Sequence, residues 1–252
     1  MTPLALITGG QQGIGLGIAM ALSEAGFRIA IASLPGPDDP QVQAALSRLG
    51  PQTHYVQHDL AEVEATPALI DRIEAAMGPI TTCVQNAGVP SRVRGDMLEI
   101  TPANFDHVIG INLRGAFFLA QAVARRMVGR SDGPYRSITF ITSVSAQMAS
   151  IERADYCISK AGAAMAAQAL ALRLAPHGIG VFELRPGIID TAMTAGVSEA
   201  YTTRIEGGLV PAARWGHPAD IGAVMVPIAT GQMAFATGAV IAVDGGLSVQ
   251  RL

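Results

Sequence analysis

Short apolar segments alternate with longer helical patterns along the whole chain, and this alternation constrains the fold more than any other feature. Seven of the short segments are predicted as strands: Leu4–Thr8, Arg28–Ala32, His54–Gln57, Ile80–Val84, Ser137–Thr142, Gly180–Glu183 and Val240–Val243. Strands separated by helices are typical of βαβ units, whose strands run parallel. The pattern therefore predicts an α/β protein, a doubly wound Rossmann-type fold with a seven-stranded parallel sheet flanked by helices.

Six helical patterns lie between these strands, and each is long enough for a crossover connection. They cover Ile14–Ala25, Gln41–Leu49, Pro67–Met77, Pro102–Val128, Asp155–Ala175 and Pro218–Ile228. The proline- and glycine-rich segment 34–40 is too short to separate two domains. We expect a single domain over residues 1–252, with an inserted excursion of loop and helix at about 190–215.

Composition excludes several classes of protein. Half of the 252 residues are hydrophobic and 15% are charged, which excludes a disordered chain or a coiled coil. A net charge of -3 gives no field that would gather nucleic acid or anionic lipid, so a small-molecule partner is favoured. Two cysteines, Cys83 and Cys157, and five histidines show no metal-ligand spacing. We expect a reduced, cytoplasmic protein with no membrane segment and no bound metal.

A glycine-rich turn follows the first predicted strand, with Gly9, Gly13 and Gly15 directly before a helix. Glycine lets the backbone approach a ligand closely, and the amide groups at a helix N-terminus attract phosphate. Tight packing alone would also explain the three glycines. At the end of the second strand, Ser33 stands where a carboxylate would bind a ribose hydroxyl, and no arginine is there for a 2′-phosphate. NAD(H) is therefore favoured, and NADP(H) stays possible.

Ser143 ends a later strand, and Tyr156 and Lys160 share one face of the helix that follows. Tyrosine, with a pKa near 10, is a poor proton carrier at neutral pH. A neighbouring ammonium favours the phenolate, so we expect Lys160 to lower the pKa of Tyr156. The serine hydroxyl could then orient a carbonyl oxygen and stabilise negative charge on it. A tyrosine and a lysine four residues apart also occur by chance on exposed helices.

Taken in order, these motifs resemble the short-chain dehydrogenase/reductase family over essentially the full length, particularly its carbonyl reductases similar to 3-oxoacyl-[acyl-carrier-protein] reductase. The resemblance rests on the glycine turn, Asn86-Ala87-Gly88, Asn112, Ser143, Tyr156, Lys160, the segment Arg185–Thr191 and Asp244-Gly245-Gly246. It implies oxidoreduction between a carbonyl compound and an alcohol with NAD(P)(H), in a homotetramer. It also implies a catalytic tetrad of Asn112, Ser143, Tyr156 and Lys160.

The resemblance further implies residue roles at the cofactor. Tyr156 would exchange a proton with the substrate, Lys160 would also hold the nicotinamide ribose, and Asn112 would steady a water molecule that links the lysine to solvent. The implied cofactor-binding residues are Gly9, Gln12, Gly13, Ile14, Gly15, Ser33, Asp59, Leu60, Asn86, Ala87, Gly88, Tyr156, Lys160, Pro186, Gly187, Ile189 and Thr191. Asp59 could instead cap a turn. Gln85 replaces the asparagine usual in the family, with an expected effect on one strand hydrogen bond only.

Several alternatives stay open. Val89, Gln147, Met148, Ile151, Ile188, Met193 and Tyr201 are expected at a mostly apolar substrate face. Arg92, Arg94, Glu152 and Arg153 could add polar specificity there, but charges near a cleft are more often solvated, so no role is assigned to them. Arg125, Arg126 and Arg130 could dock an acidic acyl-carrier protein, or form an ordinary solvated face.

A non-catalytic dinucleotide-sensing protein would predict a degraded tetrad. A methyltransferase would not explain the tyrosine and lysine. The alanine-rich helix 161–175 suits close packing across a two-fold axis.

Overall fold

A seven-stranded parallel sheet forms the centre of the computed structural model, which describes residues 1–130 and 132–251. The strands are β1 Leu4–Thr8, β2 Arg28–Ser33, β3 His54–Gln57, β4 Thr82–Gln85, β5 Arg136–Ile141, β6 Ile179–Pro186 and β7 Val240–Val243. Their order across the sheet is β3-β2-β1-β4-β5-β6-β7. This confirms the predicted fold class. β4 begins two residues later than predicted, since Ile80 and Thr81 donate their amides to Glu74 and Leu4 instead of entering the ladder.

Eight α-helices flank the sheet in the described residues. They are α1 Gly13–Glu24, α2 Pro40–Leu49, α3 Thr66–Met77, α4 Pro102–Ile109, α5 Ala116–Val128, α6 Ala154–Leu174, α7 Ser198–Glu206 and α8 Pro218–Ala229. The predicted helix Pro102–Val128 is interrupted by a π-helical segment, Gly110–Gly115, which contains Asn112. Such segments are rare and are frequent at functional sites. The predicted excursion contains α7, which the periodicity alone did not place.

Helices cover both faces of the sheet, and alternating strand residues supply the two cores. In β1, Leu4 and Leu6 pack with α3, α5 and α6, whereas Ala5 and Ile7 pack with α1 and α8. The helical run Pro102–Val128 is long and apolar enough to cross a bilayer by length and composition. Its side chains Leu119, Val123 and Met127 are fully buried in the first of these cores, which explains that composition.

The strand order reverses at β1, which has β2 on one side and β4 on the other. The connections after β1 and β4 therefore leave the sheet in opposite directions, and a crevice opens between them at the carboxyl ends of the strands. In open α/β sheets, ligands bind in the crevice at such a switch point. The glycine turn after β1 and Asn86-Ala87-Gly88 after β4 both lie at this edge.

Candidate active site

Two cavities open at the carboxyl edge of the sheet, and they meet at Tyr156. The first, of about 390 Å³, runs from the glycine turn past the ends of β2 and β4 to Tyr156 and Lys160. The second, of about 590 Å³, is bounded by Ser143, Tyr156 and α7. Tyr156 therefore faces both spaces, and a group bound in either one would reach its side chain.

The glycine turn holds α1 against the sheet at backbone distance. Gly9 and Gly13 adopt positive φ angles of 66° and 51°, which favour glycine. A Cβ atom on Gly15 would lie 2.3 Å from the carbonyl oxygen of Gly9 and 2.6 Å from Nδ2 of Asn86. Asn86 Nδ2 donates to the carbonyl of Thr8 at 2.9 Å, which ties the turn to β4. Gly15 thus serves helix packing and does not line the first cavity.

The first cavity fits a dinucleotide. It is elongated between the N-terminus of α1 and the end of β2, and its described wall has one charged amine, Lys160. Two polar atoms of its wall, Gln11 Oε1 and His58 Nε2, are buried without a hydrogen-bond partner among the described residues. Because a buried polar atom without a partner is costly, this cavity is built to receive a polar ligand. Sequence reasoning missed both residues, since Gln11 occupies a position of the glycine turn at which no residue type is required, and His58 was passed over beside Asp59.

Ser33 lies at the end of β2 and is fixed by its neighbour on β3. The Tyr55 hydroxyl donates to the carbonyl of Pro35 at 2.6 Å, and its oxygen is 2.7 Å from Ser33 Oγ. Because Tyr55 has a single hydroxyl proton, Ser33 must donate to Tyr55. Burial raises the pKa of Tyr55 and so keeps this proton in place. Ser33 therefore presents lone pairs, and no proton, to the cavity.

Asp59 caps a turn and also lies in the wall of the first cavity. Its carboxylate accepts the amide of Ala61 at 2.9 Å, which is a turn cap, and its side chain also lines the first cavity beside Leu60. Burial is the largest influence on neighbouring His58 and lowers its pKa, while the charges of Asp59 and Glu62 raise it. The cavity end at β2 and β3 is therefore polar and holds no arginine among the described residues.

Lys160 and Asn112 are buried together behind Tyr156. Lys160 Nζ donates to the carbonyl of Ile141 at 3.0 Å and lies 5.6 Å from the centre of the Tyr156 ring. Asn112 accepts the amide of Val89 at 2.8 Å and donates to the Val89 carbonyl and to Ser159 Oγ. Both amide protons of Asn112 are thus committed to protein partners, and its Oδ1 accepts one hydrogen bond from the protein and keeps a second lone pair.

The predicted effect of Lys160 on the pKa of Tyr156 is wrong. Burial is the largest influence on Tyr156 and raises its pKa; a side-chain hydrogen bond with Ser143 and the charges of Arg153 and Arg94 lower it, and Cys157 raises it. Burial also lowers the pKa of Lys160 to about 8. The positive charges that act on the tyrosine hydroxyl come from two arginines to which the sequence reasoning assigned no role.

Most of the predicted cofactor residues line the first cavity. They are Gly9, Gln12, Gly13, Ile14, Ser33, Asp59, Leu60, Asn86, Ala87, Gly88, Tyr156, Lys160 and Thr191. Pro186, Gly187 and Ile189 instead line the second cavity. β6 extends to Pro186, three residues beyond its predicted end, and this places those residues on the substrate side.

The second cavity has the expected apolar residues together with three arginines, of which the sequence reasoning did not consider Arg204. Met148, Ile151, Ile188, Met193 and Tyr201 lie in its wall as predicted, together with Arg94, Arg153, Arg204 and Glu152. Two predictions of wall residues are wrong. Val89 lines the first cavity, because Asn112 holds its backbone there, and Gln147 accepts a hydrogen bond from Arg185 at 2.8 Å and turns away.

The excursion from 190 to 215 forms one wall of the second cavity. Trp215 anchors α7, since its ring lies 6.1 Å from that of Tyr201 and its Nε1 donates to Thr202 at 3.1 Å. Arg214 pairs with Asp220 at 2.8 Å, and this contact helps to lower the pKa of Asp220 to about 2. The wall is thus fixed to the start of α8. In residues 1–130 and 132–251, no three His, Cys, Asp or Glu side chains form a metal-binding group.

Comparison with known proteins gives consistent matches over nearly the whole chain. The family model described as enoyl-(acyl carrier protein) reductase matches residues 9–248. The acetoacetyl-CoA reductase of Shinella zoogloeoides is 34% identical over 248 residues, which are 98% of each chain. A 3-oxoacyl-[acyl-carrier protein] reductase from Brucella melitensis in complex with NAD is 47% identical, with a TM-score of 0.95, and the match covers 100% of this chain and 99% of that one. A structure from Agrobacterium tumefaciens with bound NADP is 29% identical, with a TM-score of 0.85 and coverage of 98% and 97%.

The single lysine of the chain makes its pKa directly measurable. Lys160 is the only lysine in the sequence, so protein labelled with ¹³C at the lysine ε-carbon should give one resonance. We expect a titration midpoint of about 8, because burial disfavours the ammonium. In urea the same signal should titrate near the ordinary value of about 10.4. The ammonium therefore opposes folding below about pH 8, and this penalty should fade as the pH rises towards the unfolded value. A midpoint near 10 in the folded protein would contradict the prediction.

Proposed function

Since the chain belongs to the short-chain dehydrogenase/reductase family, we propose that Tyr156 exchanges the proton in its nicotinamide-dependent interconversion of a carbonyl compound and an alcohol. The position of Tyr156 carries this proposal, because its side chain lines both the cavity that fits a dinucleotide and the cavity beyond it. A substrate carbonyl in the second cavity could contact the tyrosine hydroxyl and face the first cavity at the same time.

The cofactor supplies a hydride donor or acceptor at its nicotinamide ring. Tyr156 and Ser143 would hold the substrate oxygen, with Ser143 stabilising negative charge there. Because burial raises the pKa of Tyr156, its hydroxyl is protonated at neutral pH and acts as an acid in the reduction. In the oxidation the same oxygen must accept a proton, and the charges of Arg94 and Arg153 favour that step.

Lys160 and Asn112 would set the position of the reacting groups. Lys160 donates to Ile141 at the end of β5, next to Ser143, and a Cβ atom on Gly88 would be 3.4 Å from its Nζ. We propose that Lys160 holds the ribose near Tyr156. We propose that Asn112 acts through Val89 and Ser159, which it joins across the π-helical segment, and so fixes both the cavity wall and the helix that bears Tyr156.

A small ketone or aldehyde is the proposed substrate, and a 3-oxoacyl thioester on a carrier protein is the second candidate. The name of the Brucella melitensis relative favours the second candidate. Two of the three arginines that could dock an acidic carrier or form a solvated face give it little support. Arg126 pairs with Asp71, and Arg130 pairs with Glu74 through both carboxylate oxygens, so acids of α3 already neutralise them.

Exposed apolar side chains support the proposed homotetramer. Ile158, Met165 and Leu172 recur every seven residues on α6 and are 48%, 62% and 82% exposed, so they form one stripe. Phe235 and Val240 are exposed at the open edge of β7, which gives a second surface. Two separate surfaces suit two kinds of dimer contact.

We also propose that the chain acts as one domain, in the cytoplasm, where Cys83 and Cys157 stay reduced.

Tyr156→Phe should lower the turnover of small diketones and ketoesters by about 100- to 10,000-fold, because the proton donor is lost. The affinity for NADH should stay close to that of the wild type, since the ring is kept. Absorbance of the reduced nicotinamide measures turnover, and calorimetry measures affinity. Tyr135→Phe is the matched control, because the Tyr135 hydroxyl is buried without a partner in the described residues and lines neither cavity. Full activity of Tyr156→Phe would reject the mechanism.

NADH should be preferred to NADPH, because Ser33 offers an acceptor to a ribose hydroxyl and no arginine faces a 2′-phosphate in the described cavity. We expect a KM for NADPH about tenfold higher or more, which corresponds to about 1.4 kcal/mol. In Tyr55→Phe the hydroxyl of Ser33 loses its acceptor and is free to donate to the cofactor. The ratio of the KM for NADPH to the KM for NADH should therefore fall. Equal KM values for the two cofactors in the wild type would contradict this assignment.

Sedimentation velocity should show a tetramer at the concentrations used for assays. Leu172→Arg places a charge at the C-terminal end of the α6 stripe, on its most exposed residue, and should yield a smaller species, because an unpaired charge at an apolar contact is costly. Arg173→Gln, one residue further along, is the control, since its side chain is exposed and bonds only to His177. A monomeric wild type would refute the proposed assembly.

A further inference from the structure

We propose that the second cavity binds a carbonyl substrate that carries an anionic group, a carboxylate or a phosphate, and that Arg94, Arg153 and Arg204 recognise this group. The inference rests on the proposed function, because it names the class of substrate that the same site would reduce.

The three arginines come from separate parts of the chain. Arg94 lies in the loop between β4 and α4, Arg153 in the short turn before α6, and Arg204 on α7. All three line the cavity that contains Tyr156, where Glu152 is the one acidic residue of the described wall. Three positive charges against one negative charge give a positive cavity in a chain whose net charge is -3. The charge of the cavity wall is thus opposite in sign to the net charge of the whole protein.

Two of these charges lie near the reacting group. Arg153 Cζ is 5.7 Å from the centre of the Tyr156 ring, and the charges of both Arg153 and Arg94 lower the pKa of the Tyr156 hydroxyl. An anion bound between these guanidinium groups would therefore sit only a few atoms from a carbonyl held by Tyr156. This geometry suits a small keto acid or keto phosphate.

The three guanidinium groups make no ion pair with any described residue. The five ion pairs of residues 1–130 and 132–251 use Arg114, Arg126, Arg130, Arg185 and Arg214. Arg185, just before the excursion, and Arg214, within it, are neutralised by Glu183 and Asp220. Guanidinium groups bind carboxylate and phosphate oxygens through two parallel hydrogen bonds, so Arg94, Arg153 and Arg204 are available for such an anion.

The remainder of the cavity wall would hold the carbon skeleton. Met148, Ile188 and Leu209 provide apolar surface, and the volume of about 590 Å³ is in the range of small-molecule sites. Leu209 follows α7, so the segment that contributes Arg204 also contributes part of the apolar wall. A ligand with an anionic end and a short apolar chain matches this division of the surface.

Tryptophan fluorescence can test binding apart from turnover, because Trp215 is the only tryptophan and contacts Tyr201 in the cavity wall. With saturating NAD⁺ a ketone binds but cannot be reduced. We would titrate 4-oxopentanoate against its methyl ester, and dihydroxyacetone phosphate against dihydroxyacetone. At least one anion should bind tenfold or more tightly than its neutral partner. The pair with the larger ratio of anion to neutral affinity shows whether the site prefers a carboxylate or a phosphate. Equal affinities in both pairs would overturn the proposal.

Substitution then assigns the anion to the arginines. Arg153→Gln and Arg204→Gln should each reduce the ratio of anion to neutral affinity at least tenfold, and Glu152→Gln should increase it. Arg72→Gln is the matched control, because Arg72 is exposed on α3 and lines neither cavity. An unchanged ratio in both arginine variants would also overturn the proposal. Where a variant does not fold, the salt dependence of the wild type decides, since added salt should weaken anion binding and leave ester binding unaltered.

Turnover of the same compounds with NADH separates the two proposals. Reduction of the neutral ketones with no preference for an anion in binding would refute the anionic substrate and leave the proposed function intact. Tight binding of an anion with no reduction of any carbonyl compound would refute the proposed function and leave the arginine site intact.

Discussion

The close approach of α1 to the sheet is the constraint on which the rest of the structure depends. At Gly15 a methyl group would overlap the carbonyl of Gly9, and at Gly17 it would lie 2.5 Å from the carbonyl of Pro218 in α8. The close contact at Gly15 places the N-terminus of α1 beside the first cavity. The second contact, at Gly17, fixes α8, whose Asp220 accepts a hydrogen bond from Arg214 and so attaches the excursion that walls the second cavity. One line of glycines therefore sets the relative position of both ligand spaces.

Burial determines the proton chemistry between these spaces. It raises the pKa of Tyr156 and lowers that of Lys160, since each shift favours the neutral form of the group. The Lys160 Nζ lies 5.6 Å from the centre of the Tyr156 ring and donates a hydrogen bond to the carbonyl of Ile141. The acid of the site is therefore the neutral hydroxyl of Tyr156. The positive charges that favour its phenolate belong to Arg94 and Arg153, which line the second cavity.

The sequence predicted the sheet, the glycine turn and the positions of Tyr156 and Lys160, because these depend on local periodicity and on residues that are near one another in the chain. It did not predict contacts that form only when strands or loops pair. Tyr55 reaches Ser33 because β2 and β3 are neighbours in parallel register. The π-helical segment at Asn112 interrupts a run whose apolar pattern is continuous. Arg94, Arg153 and Arg204 line one cavity although they are far apart in sequence, and each one alone has the appearance of a solvated charge.

The arginines connect substrate charge with the proton of Tyr156. While Arg94 and Arg153 face an open cavity, their charges favour the phenolate and partly offset the effect of burial. An anion bound to them would neutralise this field and exclude water, and both effects raise the pKa of the hydroxyl. The tyrosine, already protonated at neutral pH, would then hold its proton more firmly while the substrate is in place. The alcohol formed by reduction keeps the anionic group, so the same shift would act on both directions of the reaction. The charge of the substrate and the proton affinity of one tyrosine would thus be linked through the arginines.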